Sequence, residues 1–347
     1  MDKQSGNYML SAHGDQWAME TSRMRAYLNT PIVSDMLAEE CEALTGPGAM
    51  RLLDYAGGPV YDSDWVNVGH QAADGSDNYL GDSRLLGDSR LEAALSARRA
   101  KGAIAVLPLM GPITQRSGLF SAFFGGTSAE KFGRAFGDLI ASPNVSAVVI
   151  EVDSPGGTVS GVPELADKIH KARDIKPVIA VANGWAASAA YWLASQASEL
   201  VVTPSGEVGS IGVWSMHVDI SEAMEKFGEK VTIISAGKYK VEANPYEPLS
   251  EEALAYEQSE VDRYYGMFVS AVARGRGKNV IEVRKGFGQG RMVGPAPSKV
   301  EGMVDRVATM EATIKRLGGR LAERDEARAE AEARELELKE LGAWGRE

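Results

Sequence analysis

The chain has 347 residues, of which 44% are hydrophobic, and a formal net charge of −11. That length supports one large or two modest domains around a real core, and the acidic balance argues against an electrostatic grip on nucleic acid or anionic lipid, which needs clustered Lys and Arg. A lone cysteine, Cys41, excludes an internal disulfide and a Cys-rich metal site, and His13, His70, His170 and His217 stand without metal-ligand spacing, so neither a metal nor another cofactor is expected.

The opening "MDKQSGNYMLSAHGDQW" lacks the apolar core of a secretory signal. No stretch reaches the roughly 18 apolar residues of a membrane span. A soluble, cytoplasmic protein is expected. Residues 1–100 are polar and rich in Gly and Asp, with a short helical pattern near Ile32–Leu44 and a local repeat, "LGDSRLLGDSRL", at Leu80–Leu91. This N-terminal extension is expected to be partly ordered and to carry no chemistry.

Residues 101–309 have the texture of an α/β domain. "AIAVLPL" (Ala103–Leu109) is a short apolar run before a Gly-Pro turn, and "SAVVIEV" (Ser146–Val152) is a buried strand by length and β-branched content. After "DSPGG" (Asp153–Gly157), Val162, Leu165, Ala166 and Ile169 recur at helical spacing. "KPVIAVAN" (Lys176–Asn183) is the next strand, and a helix follows around Ser188. "LVVTP" (Leu200–Pro204), "IGVWSMHVD" (Ile211–Asp219) and "KVTIIS" (Lys230–Ser235) read as further strands. This alternation implies right-handed crossovers and a largely parallel sheet. Ser250 is the expected N-cap of a long helix, with Val261, Tyr264, Phe268 and Val272 as its apolar stripe and a stop at "RGRGKN". Residues 310–347 form a charged helical C-terminal arm with a thin apolar stripe, a helix that must pair with something to be stable. Its expected role is assembly, not chemistry.

One uncharged stretch, "NGWAASAAYWLAS" (Asn183–Ser195), crowds Ala186, Ala187, Ala189 and Ala190 around Ser188. Close helix packing accounts for such a run, and so does a nucleophile whose neighbours must not block a substrate. "SPGG" (Ser154–Gly157) ends a strand and opens a helix, a place where backbone N–H groups can hold a developing negative charge. A serine nucleophile needs a base. His170 and His217 are available, and so are Lys238 and Lys240; a lysine serves only as a neutral amine, which desolvation favours. Spacing does not choose among them.

The stretches "VVIEVDSPGGTVSG", "KPVIAVANGWAASAAYWLAS", "VVTPSGEVGSIGV", "ISAGKYKVEANPYEPLS", "VDRYYGMFVSAVARGRG" and "GRMVGPAPSKVEGMVDRV" together cover roughly residues 104–307. In that order they resemble the signal peptide peptidase A family of serine proteases, more closely its phage branch of prohead, or head maturation, proteases. The resemblance implies stacked ββα units of the Clp protease and crotonase superfamily. It implies a Ser/Lys dyad with Ser188 as nucleophile, Lys240 as general base and Lys238 as bystander. Ser210 then orients the amine, and Gly156 or Gly157 with the Ala189 N–H forms the oxyanion hole. Two departures stand out: Ala189–Ala190 replaces a Gly-Gly pair common in relatives, which tightens the pocket, and "VGPAPSKVEG" has prolines at a helix start. The implied substrates are capsid, portal or scaffold proteins inside an assembling prohead in the host cytoplasm, with a homo-oligomeric enzyme, no nucleic acid and no membrane anchor. The competing readings are an inert scaffold or minor capsid protein, and crotonase-like acyl-CoA chemistry on the same fold.

Overall fold

The computed structural model describes residues 103–116 and 126–344, together with the backbone of 17–19 and 51–53. The helical pattern at Ile32–Leu44 and the repeat at Leu80–Leu91 lie outside the described residues. In chain order the elements are β1 (Trp17–Met19), β2 (Arg51–Leu53), β3 (Ala103–Met110), β4 (Ile113–Thr114), β5 (Thr127–Ser128), α1 (Ala129–Ala141), β6 (Val145–Ser154), β7 (Gly156–Thr158), α2 (Val162–Ala172), β8 (Val178–Ala187) and α3 (Ala189–Ala194). Then come β9 (Glu199–Val202), β10 (Glu207–Gly209), α4 (Ser221–Lys226), α5 (Glu251–Arg276), α6 (Val280–Lys285), β11 (Met292–Val293), α7 (Pro295–Glu301), β12 (Arg306–Val307) and α8 (Met310–Trp344).

The main sheet runs β11-β10-β8-β6-β3-β2, with β9 and β12 added beside β8, and β3, β6, β8, β9 and β10 are mutually parallel where they pair. A small second sheet, β1-β7-β4-β5, sits at the ends of these strands. This is the α/β architecture of stacked ββα units that the sequence implies; β6, β7 and α2 form one such unit.

Side-chain alternation splits the core in two. Val148, Ile150 and Val152 of β6 join the larger cluster, which α1, α2, α3 and α5 cover. Ala147 and Val149 face the other way, with Ile104, Val106, Ile179, Val181 and Val201. That face is covered by Ile314, Leu317 and Leu321 of α8, each less than a tenth exposed. The first three turns of the C-terminal helix are therefore part of the domain core, and only the stretch beyond about Leu321 is a solvated arm. The thin apolar stripe at Ile314 and Leu317 is what the open sheet face takes up.

The helix signals hold. Ser250 accepts the Ala253 N–H at 3.1 Å and caps α5, and Gly277 closes it in the left-handed region. Two expected strands are absent. Ile211–Asp219 contains only an isolated bridge at Trp214, and Lys230–Ser235 is irregular and exposed, with Ile234 95% exposed. A β-branched run becomes a strand only where an edge is open to it. Here β11 occupies the outer edge of β10, and β12 that of β9.

Asp305 ties the end of α5 to the sheet. It accepts the Leu200 N–H at 2.7 Å and both terminal nitrogens of Arg276 at 2.8 and 2.6 Å. Burial opposes its ionisation, but the Arg276 guanidinium and the Leu200 amide outweigh that and hold the carboxyl below the usual range. A depressed native value means this stabilisation is full above the unfolded pKa of about 4 and is lost as the pH falls through the native one. Asp305→Ala is expected to cost about 2 kcal/mol at pH 7, because Arg276, with a side chain 6% exposed, loses its carboxylate. Urea midpoints of the two proteins should differ at pH 7 and converge below pH ~4.

Candidate active site

Ser188 stands at the junction of β8 and α3, 1% exposed. Its φ of 53° and ψ of −121° are unusual for a residue with a side chain, a conformation that costs roughly 1–3 kcal/mol and persists only where the surroundings impose it. They do so through the backbone. The Ser188 N–H donates to Gly209 O at 2.8 Å, and its carbonyl accepts the Trp192 N–H at 2.9 Å. The Ser188 Oγ is buried and has no hydrogen-bond partner among the described residues. A sharp strand-to-helix turn thus carries a hydroxyl that is covered by protein and makes no hydrogen bond.

The surrounding alanines Ala186, Ala187, Ala189 and Ala190 are all fully buried. At the other end of the same stretch, a Cβ on Gly275 of α5 would lie 2.2 Å from Ser195 O, so the end of α3 and α5 meet in near backbone contact.

The "SPGG" turn ends β6 as expected but opens β7 and not a helix, α2 starting only at Val162. Gly157 is obligatory there, since a Cβ would fall 1.8 Å from Ile113 O. Ser154 Oγ donates to Gly111 O at 2.6 Å and accepts the Gly156 N–H at 3.1 Å, so the Gly156 amide is engaged within the turn. Ala189 is the first residue of α3, where a helix N–H has no intrahelical acceptor.

Ser210 emerges beside Ser188, because Ala187 pairs with Gly209 in parallel register. It is 8% exposed, has a φ of 53°, and its N–H donates to Arg291 O at 2.9 Å. The structure thus brings Ser188, Ser210, Ala189 and the "SPGG" turn to neighbouring strand ends.

It does not bring Lys240 there. Lys240 lies in an exposed turn whose backbone N–H donates to Gly237 O at 3.2 Å, and the unpaired Ser188 Oγ rules out a hydrogen bond between the two. Lys238 is exposed and occupied elsewhere, donating to Tyr239 Oη at 2.6 Å and Glu252 Oε1 at 3.0 Å, and these two bonds push its ammonium above the ordinary lysine range. His170 sits on α2 with Nδ1 3.4 Å from an Arg173 nitrogen. Burial, then Arg274 and Arg173, push its ring below the ordinary histidine range. Neither His170 nor His217 reaches Ser188.

Sequence reasoning missed three side chains that shape this region: Glu151, Asp153 and Asn183, on the sheet face opposite α1, α2, α3 and α5. The available signal was Asn183–Gly184, a turn dipeptide inside a strand pattern, which marks a bulge.

Residues 170–323 match the family model described as peptidase family S49. Capsid assembly protease C of Escherichia phage lambda is 35% identical over 196 residues, covering 56% of this chain and 45% of that protein. The head-tail preconnector protein GP5 of Enterobacteria phage P21 is 36% identical over 182 residues, 52% of this chain and 36% of that protein. The chain therefore spans less than half the length of these two relatives. Among solved structures, a ClpP1 mutant from Listeria monocytogenes aligns over 60% of this chain and 94% of its own, at 16% identity and a TM-score of 0.38. The resemblance read from the motifs is borne out: over residues 170–323 this chain is similar to peptidase family S49, and a phage capsid assembly protease and a phage head-tail preconnector protein are among its matches.

Proposed function

We propose that the chain is a serine endopeptidase of phage head maturation, with Ser188 as nucleophile and Lys240 as general base. The observation that carries the reading is the buried, unpaired Ser188 hydroxyl on a strained turn beside "SPGG". The neutral Lys240 amine takes the proton as Ser188 Oγ attacks the scissile carbonyl. Of the expected donors Gly156 is held by Ser154 Oγ, so the backbone amides of Ala189 and Gly157 receive the oxyanion. Collapse expels the amine with that proton, and water then hydrolyses the acyl-enzyme. Ser210 orients the lysine.

For this to happen Lys240 must leave water and approach Ser188. Its segment carries exposed Met216, Phe227, Ile234 and Tyr239. Self-association that buries these residues supplies the desolvation a lysine base requires, and a homo-oligomer is the reading that accounts for their exposure. The substrates proposed are capsid, portal or scaffold proteins, by analogy with the phage relatives, in the host cytoplasm within the prohead. The arm beyond Leu321 serves recruitment to the assembling head.

A fluorophosphonate probe should label Ser188, and co-expression with candidate head proteins should yield defined fragments by mass spectrometry. An unlabelled protein would favour an inert scaffold instead. Lys238→Ala and His170→Ala should each retain activity within about threefold, since neither side chain reaches the site.

A further inference from the structure

β6 and β8 change register immediately before the nucleophile. Val152 pairs with Ala182, but Ser154 pairs with Ala186, so two steps along β6 match four along β8. The two surplus residues fall within Asn183–Trp185. On its other side β8 changes partner over the same step, from β9, which ends opposite Ala182, to β10, which begins opposite Trp185. This bulge sets where β8 delivers Ser188, because the register after it places Ala186 beside Ser154 and Ala187 beside Gly209.

Two carboxylates of β6 hold the bulge. Asp153 Oδ1 accepts the Trp185 N–H at 3.1 Å. Glu151, 6% exposed, accepts from Asn183 Nδ2 at 2.8 Å. Gly184 between them has a φ of 124°, and a Cβ there would stand 2.6 Å from Asp153 Oδ1. The carboxylate thus lies directly against the bulged backbone. Strand alternation puts Glu151 and Asp153 on the face of Val149, opposite the one that α1, α2, α3 and α5 cover.

We propose that Asp153, supported by Glu151, is a positioning residue for Ser188: its carboxylate fixes the β8 bulge and through it the aim of the hydroxyl. Neither carboxylate need touch substrate. The idea rests on the reading of Ser188 as nucleophile for its kinetic consequence, and on the bulge alone for its structural one. Displacing a reacting group by about 1 Å costs on the order of 100-fold in rate.

The test compares Asp153→Ala and Asp153→Asn in the full chain. Turnover of a peptide ester is expressed per active site, counted by fluorophosphonate titration, so that a misfolded fraction drops out. Asp153→Ala should lower kcat roughly 10- to 100-fold with KM changed less than about threefold. Asp153→Asn keeps a carbonyl oxygen for the Trp185 N–H and should recover to within about fivefold of the parent. Equal per-site kcat in Asp153→Ala and the parent overturns the proposal. So does an Asn variant as impaired as the Ala variant, which would assign the effect to charge. If the parent neither turns over ester nor takes the probe, the nucleophile reading fails and amide exchange decides the clamp. Faster exchange at both Trp185 and Ser188 in Asp153→Ala supports it; faster exchange at Trp185 alone overturns it.

Discussion

Ser188→Ala and Lys240→Ala are each expected to abolish peptide-bond cleavage, by roughly 10,000-fold or more in kcat, with unchanged urea midpoints. The Ser188 Oγ makes no hydrogen bond, so losing it removes the proposed nucleophile and no structural contact. Relief of the positive φ is not expected, because alanine at that position is as strained as serine. For Lys240 the expectation follows from the proposed dyad. An exposed lysine contributes little to stability, so the Ala variant should fold normally and fail only in chemistry. Full activity in Lys240→Ala, with loss in a histidine variant, would reject the lysine base.

Truncation of the C-terminal helix should have two sharply different outcomes according to where the cut falls. A chain ending at Thr309 removes Ile314, Leu317 and Leu321 from the sheet face formed by Ile104, Val106, Val149, Ile179, Val181 and Val201, and is expected to be insoluble or unfolded. A chain ending at Asp325 keeps that cover, together with the Arg316–Glu199 ion pair, and should match the parent in urea midpoint and peptide turnover. Leu317→Ala alone, at a site 2% exposed, should cost about 2–4 kcal/mol. Equal stability of the Thr309 and Asp325 chains would contradict the packing described.

Much of the framework was legible because periodicity and burial coincide. The β3, β6, β8 and β9 runs are apolar on both faces, as strands covered on both sides must be, and α2 buries all four residues that its spacing singled out. Ile211–Asp219 and Lys230–Ser235 have the composition of strands, but composition carries no information on whether a partner edge is open. Of the site, Ser188, Ser210 and the glycine turn were found through motif resemblance and lie together. The separation of Lys240 from them was not visible, since it depends on a long exposed segment that is not held by local propensity. The bulge at Asn183–Trp185 was hidden for a different reason. It is specified by carboxylates 32 residues earlier in the chain, at Glu151 and Asp153.

β7 has only two hydrogen-bonding edges, and both are taken. Ile113 of β4 pairs with Gly157 on one, and β1 runs antiparallel along the other, with Trp17, Ala18 and Met19 opposite Thr158, Gly157 and Gly156. Any further strand laid along the glycine turn on that outer edge must displace β1. The displaced strand stays tethered to the same chain, so dilution does not lower its local concentration, whereas a free peptide competes at its own bulk concentration. Occupancy of this edge is therefore set by a ratio that protein concentration leaves unchanged and added peptide shifts.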